Sequence, residues 1–86
     1  MEYTVIIKKQ AKKKLLGLSD VHRHRIAEKI EWLGKDPGDP RLDIKKLVGS
    51  PYYRLRVGDW RIIFDKDDEI KIISIEAVKP RGDAYK

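Results

Sequence analysis

Apolar residues recur along this chain with two different periods. "EYTVIIKK" alternates weakly and is rich in β-branched side chains, which predicts a strand over residues 2–8. In "KKQAKKKLLGL" the apolar residues Ala11, Leu15 and Leu18 stand at helical spacing, with lysines on the other positions. Gly17 and Leu18 end that helix, and Ser19 or Asp20 offers an N-cap for a second one, from about Asp20 to Lys35. Its stripe is Ile26, Ile30 and Leu33, bordered by Ala27, and Gly34 with Asp36-Pro37 stops it. Two helices joined at a tight turn make a helical hairpin.

The second half of the chain returns to period two. "YYRLRVGDWRIIFD", residues 52–65, reads as a β-hairpin, with Gly58-Asp59 as a two-residue turn of type II′. That turn sets Val57 opposite Trp60, Arg56 opposite Arg61, Leu55 opposite Ile62 and Tyr53 opposite Phe64. "DKDDE", residues 65–69, predicts a turn. "EIKIISIEAV", residues 69–78, is almost continuously apolar, as in a central strand covered on both faces. Between the helices and the hairpin, "DPGDPRLDIKKLVGSP" holds three prolines and two glycines. It predicts a long connection of the kind that often carries function or acts as a lid, pinned by Leu42, Ile44, Leu47 and Val48. The tail "KPRGDAYK" has no period. The expected fold is α+β: an N-terminal strand, a helical hairpin, then a three-stranded antiparallel meander, with the helix pair on one face of a mostly antiparallel sheet. At 86 residues it is read as a single domain over 1–86.

Composition narrows the chemistry. With no cysteine there is no disulfide and no thiolate metal site, which suits a reducing cytoplasm. No stretch approaches the ~18 apolar residues of a membrane span, and the N-terminus lacks a signal-peptide layout. The net charge of +6 points to an acidic partner such as RNA, DNA, an anionic surface or an acidic protein. Most of the excess lies in residues 1–51, so a site in the C-terminal half must come from geometry. There, period two puts Tyr53, Leu55, Val57, Trp60, Ile62 and Phe64 on a core face and Tyr52, Arg54, Arg56 and Arg61 on the other. Like charges directly opposite on a strand pair cost up to ~1 kcal/mol. An anion between the guanidinium groups would offset that, and phosphate matches their fork of donors. A plain solvated face with Asp65 or Glu76 nearby explains the pattern too. Lys79, Arg81 and Tyr85 follow the last strand, where they form either a concave basic pocket or a frayed end.

Those residues carry a resemblance. "YYRLRVGDWRIIF", the "W-L-x-x-D-P" helix end, "K-L-x-G" at Lys46, Leu47 and Gly49, and "P-R-G-x-A-Y-K" resemble, over nearly the whole chain, the RelE/ParE superfamily of type II toxin–antitoxin systems. The ending is most similar to the RelE branch. The resemblance implies a toxin that cuts mRNA in the ribosomal A site, held by an acidic antitoxin and monomeric by itself. It implies catalytic Arg56, Arg61, Arg81 and Tyr85, with Arg54, Lys46 and Lys79 on RNA, and no cofactor or metal. Well-known members carry lysines where this chain has Arg54 and Arg56, and some place a histidine near the terminal tyrosine. The alternatives are a ParE-like gyrase poison without nuclease activity, or a decayed toxin acting as a binding module. His22 and His24 are expected on the polar side of the second helix. The lysine-rich first helix is read either as a wet face or as an rRNA contact. Trp32, off the helical stripe, is expected to cover the proline loop or receive the antitoxin.

Overall fold

The structure, a computed structural model, describes residues 2–80. Among these residues five strands and two helices run β1 (Thr4–Ile7), α1 (Lys9–Leu16), α2 (Asp20–Lys35), β2 (Asp43–Lys46), β3 (Tyr53–Val57), β4 (Trp60–Asp67) and β5 (Ile72–Pro80). The sheet order is β1-β5-β4-β3-β2, antiparallel except for the parallel β1–β5 pair.

The helices form where the spacing requires. Ala11 and Leu15, one turn apart on α1, are buried, and Lys13 and Lys14 in its last turn complement the negative end of the helix dipole. In α2 Ile26, Ile30 and Leu33 make the buried stripe. Gly34 does not end this helix. It is buried inside its last turn, where a Cβ would lie 2.8 Å from Val5 Cγ2. The Tyr3 amide donates to its carbonyl at 2.7 Å, which ties the start of the chain to the end of α2. The helix stops at Asp36, extended at φ −158° and ψ 100° as a residue before proline prefers.

Three expectations need correction. The proline-rich segment is not all loop: Asp43–Lys46 forms a fifth strand on β3, in register Asp43↔Arg56 to Lys46↔Tyr53. With only Ile44 half-buried, this strand has too little apolar alternation to show in the sequence. Leu42 does pin the segment, but Val48 is 98% exposed. The acidic turn is displaced, because β4 continues to Asp67 and the turn spans residues 68–71. There the Asp67 carboxylate accepts the amides of Glu69 and Ile70, and Lys71 takes φ 57°. Finally, β5 is covered closely on one face only: Ile73, Ile75 and Val78 are buried, while Ile72, Ser74 and Ala77 on the other are half-exposed. A shift of register at Ile63/Phe64 leaves Glu76 unpaired, and this bulge bends the strand.

The β3–β4 hairpin has the register the turn demands, from Val57↔Trp60 to Tyr53↔Phe64, with Gly58 at φ 57°. Its inward face joins Leu55, Ile62 and Phe64 to Ile26 and Leu33 of α2 and to Ile73 and Ile75 of β5 in one core. Each such buried side chain contributes about 1.5–3 kcal/mol.

Candidate functional site

On the sheet face away from the helices, strand pairing lines up two rows. One runs Asp43–Arg56–Arg61–Lys79 across β2 to β5, the other Lys45–Arg54–Ile63–Ala77. Directly opposed residues of antiparallel strands share a face at Cα separations of about 4.5–5.5 Å. Arg56, Arg61 and Lys79 are therefore three consecutive cations on neighbouring strands. The sequence pairs the first two; only the β4–β5 register brings in the third.

The three hairpin arginines do not form the solvated row that alternation predicts. Arg56 is exposed, but Arg54 and Arg61 keep only 8% and 4% of their surface. Arg61 folds back on its own turn, donating through Nη1 to the carbonyls of Gly58 at 3.0 Å and Trp60 at 3.1 Å, while its buried Nε has no hydrogen-bond partner among the described residues. Arg54 Nη2 donates to Asp43 Oδ1 at 2.9 Å. Among the described residues the carboxylate that pairs with a hairpin arginine is Asp43 of β2, rather than Asp65 or Glu76. Burying a guanidinium is costly unless such partners are in place.

Other residues divide between the faces. Lys79 is exposed at the end of the first row. Lys46 pairs with Tyr53 and sets its Nζ 4.8 Å from that ring, on the helix side, so it does not join the arginines. Lys45, one residue earlier, takes the arginine side, since a step of one residue along a strand changes face. Arg81 and Tyr85 lie outside the described residues.

The helical hairpin comes closer to this site than chain distance suggested. His22 meets Trp60 edge-on at 5.8 Å between ring centroids, and Lys14 Nζ is 5.9 Å from the same ring. A Cβ on Gly58 would sit 3.7 Å from Arg25 Nη1. The tip of the β3–β4 hairpin is thus flanked by α1 and α2, although His22 and His24 are exposed as their helical phase predicts. Trp32 covers the proline-rich segment: Arg41 lies 3.9 Å over its ring, and Lys29 is also 3.9 Å away.

Two polar clasps away from the arginine face shift titrations. Hydrogen bonds from Arg41 hold the Asp39 carboxyl down at about 2. The Tyr3 hydroxyl, then the Lys66 ammonium, hold Asp68 below the usual carboxylate range, and Tyr3 and Lys66 are both raised in return, chiefly by the hydrogen bond to Asp68. Among the described residues no group of three His, Cys, Asp or Glu could hold a metal ion. No described helix is long and apolar enough to cross a membrane. What the arginine face offers is anion recognition: exposed Arg56 and Lys79 stand on either side of buried Arg61 in one row.

Known proteins share this arrangement of elements. The family model described as ParE toxin of type II toxin–antitoxin system, parDE, matches residues 5–85. The chain belongs to the ParE/RelE toxin family. Toxin RelE1 of Methanocaldococcus jannaschii is 34% identical over 100% of this chain and 98% of its own length. The RelE–RelB complex of Pyrococcus horikoshii OT3 contains a chain that is 37% identical, with a TM-score of 0.83, over 95% of this chain and 98% of that one. In the RelB–RelE antitoxin–toxin complex of Methanococcus jannaschii the match is 31% identical, with a TM-score of 0.76, over 94% of this chain and 95% of that one. The two helices on a mixed sheet are thus the RelE fold, and the chain is a toxin of a type II toxin–antitoxin system.

Proposed function

We propose that this RelE-type toxin is a ribosome-dependent endoribonuclease that cuts mRNA in the A site through attack of a 2′-OH on the adjacent phosphate. The observation that carries this reading is the row Arg56–Arg61–Lys79, three cations brought side by side by strand register. Such a row matches a phosphodiester whose charge grows in the transition state. In this reading Arg56, exposed, binds the scissile phosphate together with Arg81. Arg61 stands beside Arg56 and supplies positive field while it fixes the hairpin turn. Arg54 and Lys79 hold flanking phosphates, and Tyr85 stacks on a base or takes the 2′-OH proton.

Arginine stays protonated, and a free tyrosine with a pKa near ~10 is a weak base at neutral pH. The toxin therefore depends on geometry supplied by the ribosome, and the purified chain is expected to leave free RNA nearly intact over hours; rapid cutting of naked RNA would contradict this. The cellular partner is an acidic antitoxin, supported by relatives whose structures are RelE–RelB complexes. The site of action is the cytoplasm.

The test is mapping of mRNA 5′ ends on ribosomes after induction, comparing wild type with Arg56→Ala and Arg81→Ala. New ends within A-site codons, lost in both variants, are the expected result. The family model bears the ParE name, which makes gyrase the competing target. DNA breaks with mRNA left intact would assign the chain to gyrase, and harmless expression without an antitoxin would make it a binding module.

A further inference from the structure

The β1–β5 pairing ends at Ile7↔Ile75, so β5 beyond that point runs on without a strand on that side. Helix α1 takes the place instead. The Lys8 amide donates to the Ile75 carbonyl at 3.0 Å, and Gln10 Nε2 donates to the Glu76 carbonyl at 2.9 Å. Three hollows open along this seam and all share Gln10. One of about 490 Å³ is lined by Lys8, Lys9, Lys13 and Glu76. A second of about 420 Å³ is walled by Lys13, Lys14, Gly17 and Leu18, and a third of about 230 Å³ by Lys14, Ala77, Val78 and Lys79. Together they form a groove with lysines along its length and, among the described residues, Glu76 as its one lining carboxylate. Its far end is Lys79, which pairs with Arg61 and so belongs to the arginine row.

We infer that this groove is a binding track for the phosphodiester backbone of single-stranded RNA, leading into or out of the arginine row. The inference deepens the nuclease reading and rests on it for the direction of the strand. Three features favour a polyanion. Lys9, Lys13 and Lys14 are exposed and stand on a helix fixed to the sheet edge, and no ion pair among the described residues neutralises them. Eight residues of α1 span about 12 Å at 1.5 Å per residue, long enough to meet more than one phosphate of a strand laid along it. Lys14 stands 5.9 Å from the half-buried Trp60 ring at the hairpin tip, which carries the line of cations from the groove towards the arginine hairpin.

The experiment is fluorescence anisotropy of the full chain with a labelled 12-nucleotide single-stranded RNA, titrated from 50 to 300 mM salt. Lys13→Gln/Lys14→Gln is compared with Lys35→Gln/Lys71→Gln, a pair of equal charge change outside the groove, and with Lys13→Arg/Lys14→Arg. The groove variant is expected to bind roughly tenfold more weakly at low salt, with the salt slope reduced by about 1.4, or 0.7 per lost phosphate contact. The arginine variant should keep wild-type affinity and the outlying pair should lose little. Equal loss in both glutamine pairs, or no loss in the groove pair, overturns the inference. So does a glutamate decamer that displaces the RNA at lower concentration than unlabelled RNA, which would assign the groove to an acidic protein segment. The ribosomal cleavage map with Arg56→Ala is read separately, so a failed track and a failed nuclease are distinguishable.

Discussion

Arg56 and Arg61 face each other across one strand pair in opposite circumstances, the first in solvent and the second buried on the carbonyls of its own turn. Their alanine variants should therefore separate. Arg61→Ala should lower stability by about 2 kcal/mol or more in a urea melt, since two charge-assisted hydrogen bonds and buried packing are lost together. Arg56→Ala should stay within about 0.5 kcal/mol of wild type yet cut ribosomal cleavage roughly 10²-fold or more. The opposed arginines were legible from the two-residue turn, but the burial of Arg61 was not, because period two names a face and cannot say how crowded it is. A second residue-scale prediction concerns Asp39, whose carboxyl sits at about 2 because Arg41 hydrogen-bonds it. A folded-state pKa below the unfolded one means the clasp contributes fully above pH ~3.8 and is lost as pH falls through about 2. Arg41 lies over Trp32, so Trp32 fluorescence in a Trp60→Phe background should titrate with a midpoint near 2. A midpoint at the ordinary aspartate value would refute the clasp.

Among the elements, α2 shows how tightly helix and strand are fitted. Gly34→Ala would push a methyl against Val5 Cγ2 and should cost about 1–3 kcal/mol by thermal or urea melting. Val5→Ala in the same chain should recover part of that loss, a coupling that two independent defects would not show. The extent of α2 was legible because its stripe is long and its stop is an Asp-Pro. The hairpin was legible because its turn fixes the register. The strand β2 was not, since it has four residues and a single inward apolar side chain. The turn before β5 was misplaced for a related reason. A run of acidic residues marks a bend, but Asp67 still serves in the strand while its side chain caps the turn that follows.

For the molecule as a whole, the sheet is a partition, with the helices and core on one side and the paired cations on the other. Hydrophobic patterning could reveal that partition, because each strand of the hairpin obeys it residue by residue. The recruitment of Lys79 and Lys45 to the cationic side, and the loss of Lys46 from it, depend on pairings between segments far apart in the chain. No local period encodes such pairings. The basic surplus of the N-terminal half, puzzling in the sequence, has a place once α1 lies along the edge of β5.

The strand that sits second in the sheet is the last described element along the chain, and it joins β1 to β4. During synthesis β1 thus waits for β5, the strand it pairs with, while the helices and β2 to β4 emerge between them. The apolar residues of the helical hairpin wait with it for Ile73 and Ile75 to emerge. The sheet therefore cannot close until β5 has left the exit tunnel, and the arginine row, which takes Lys79 from that strand, is completed at the same moment.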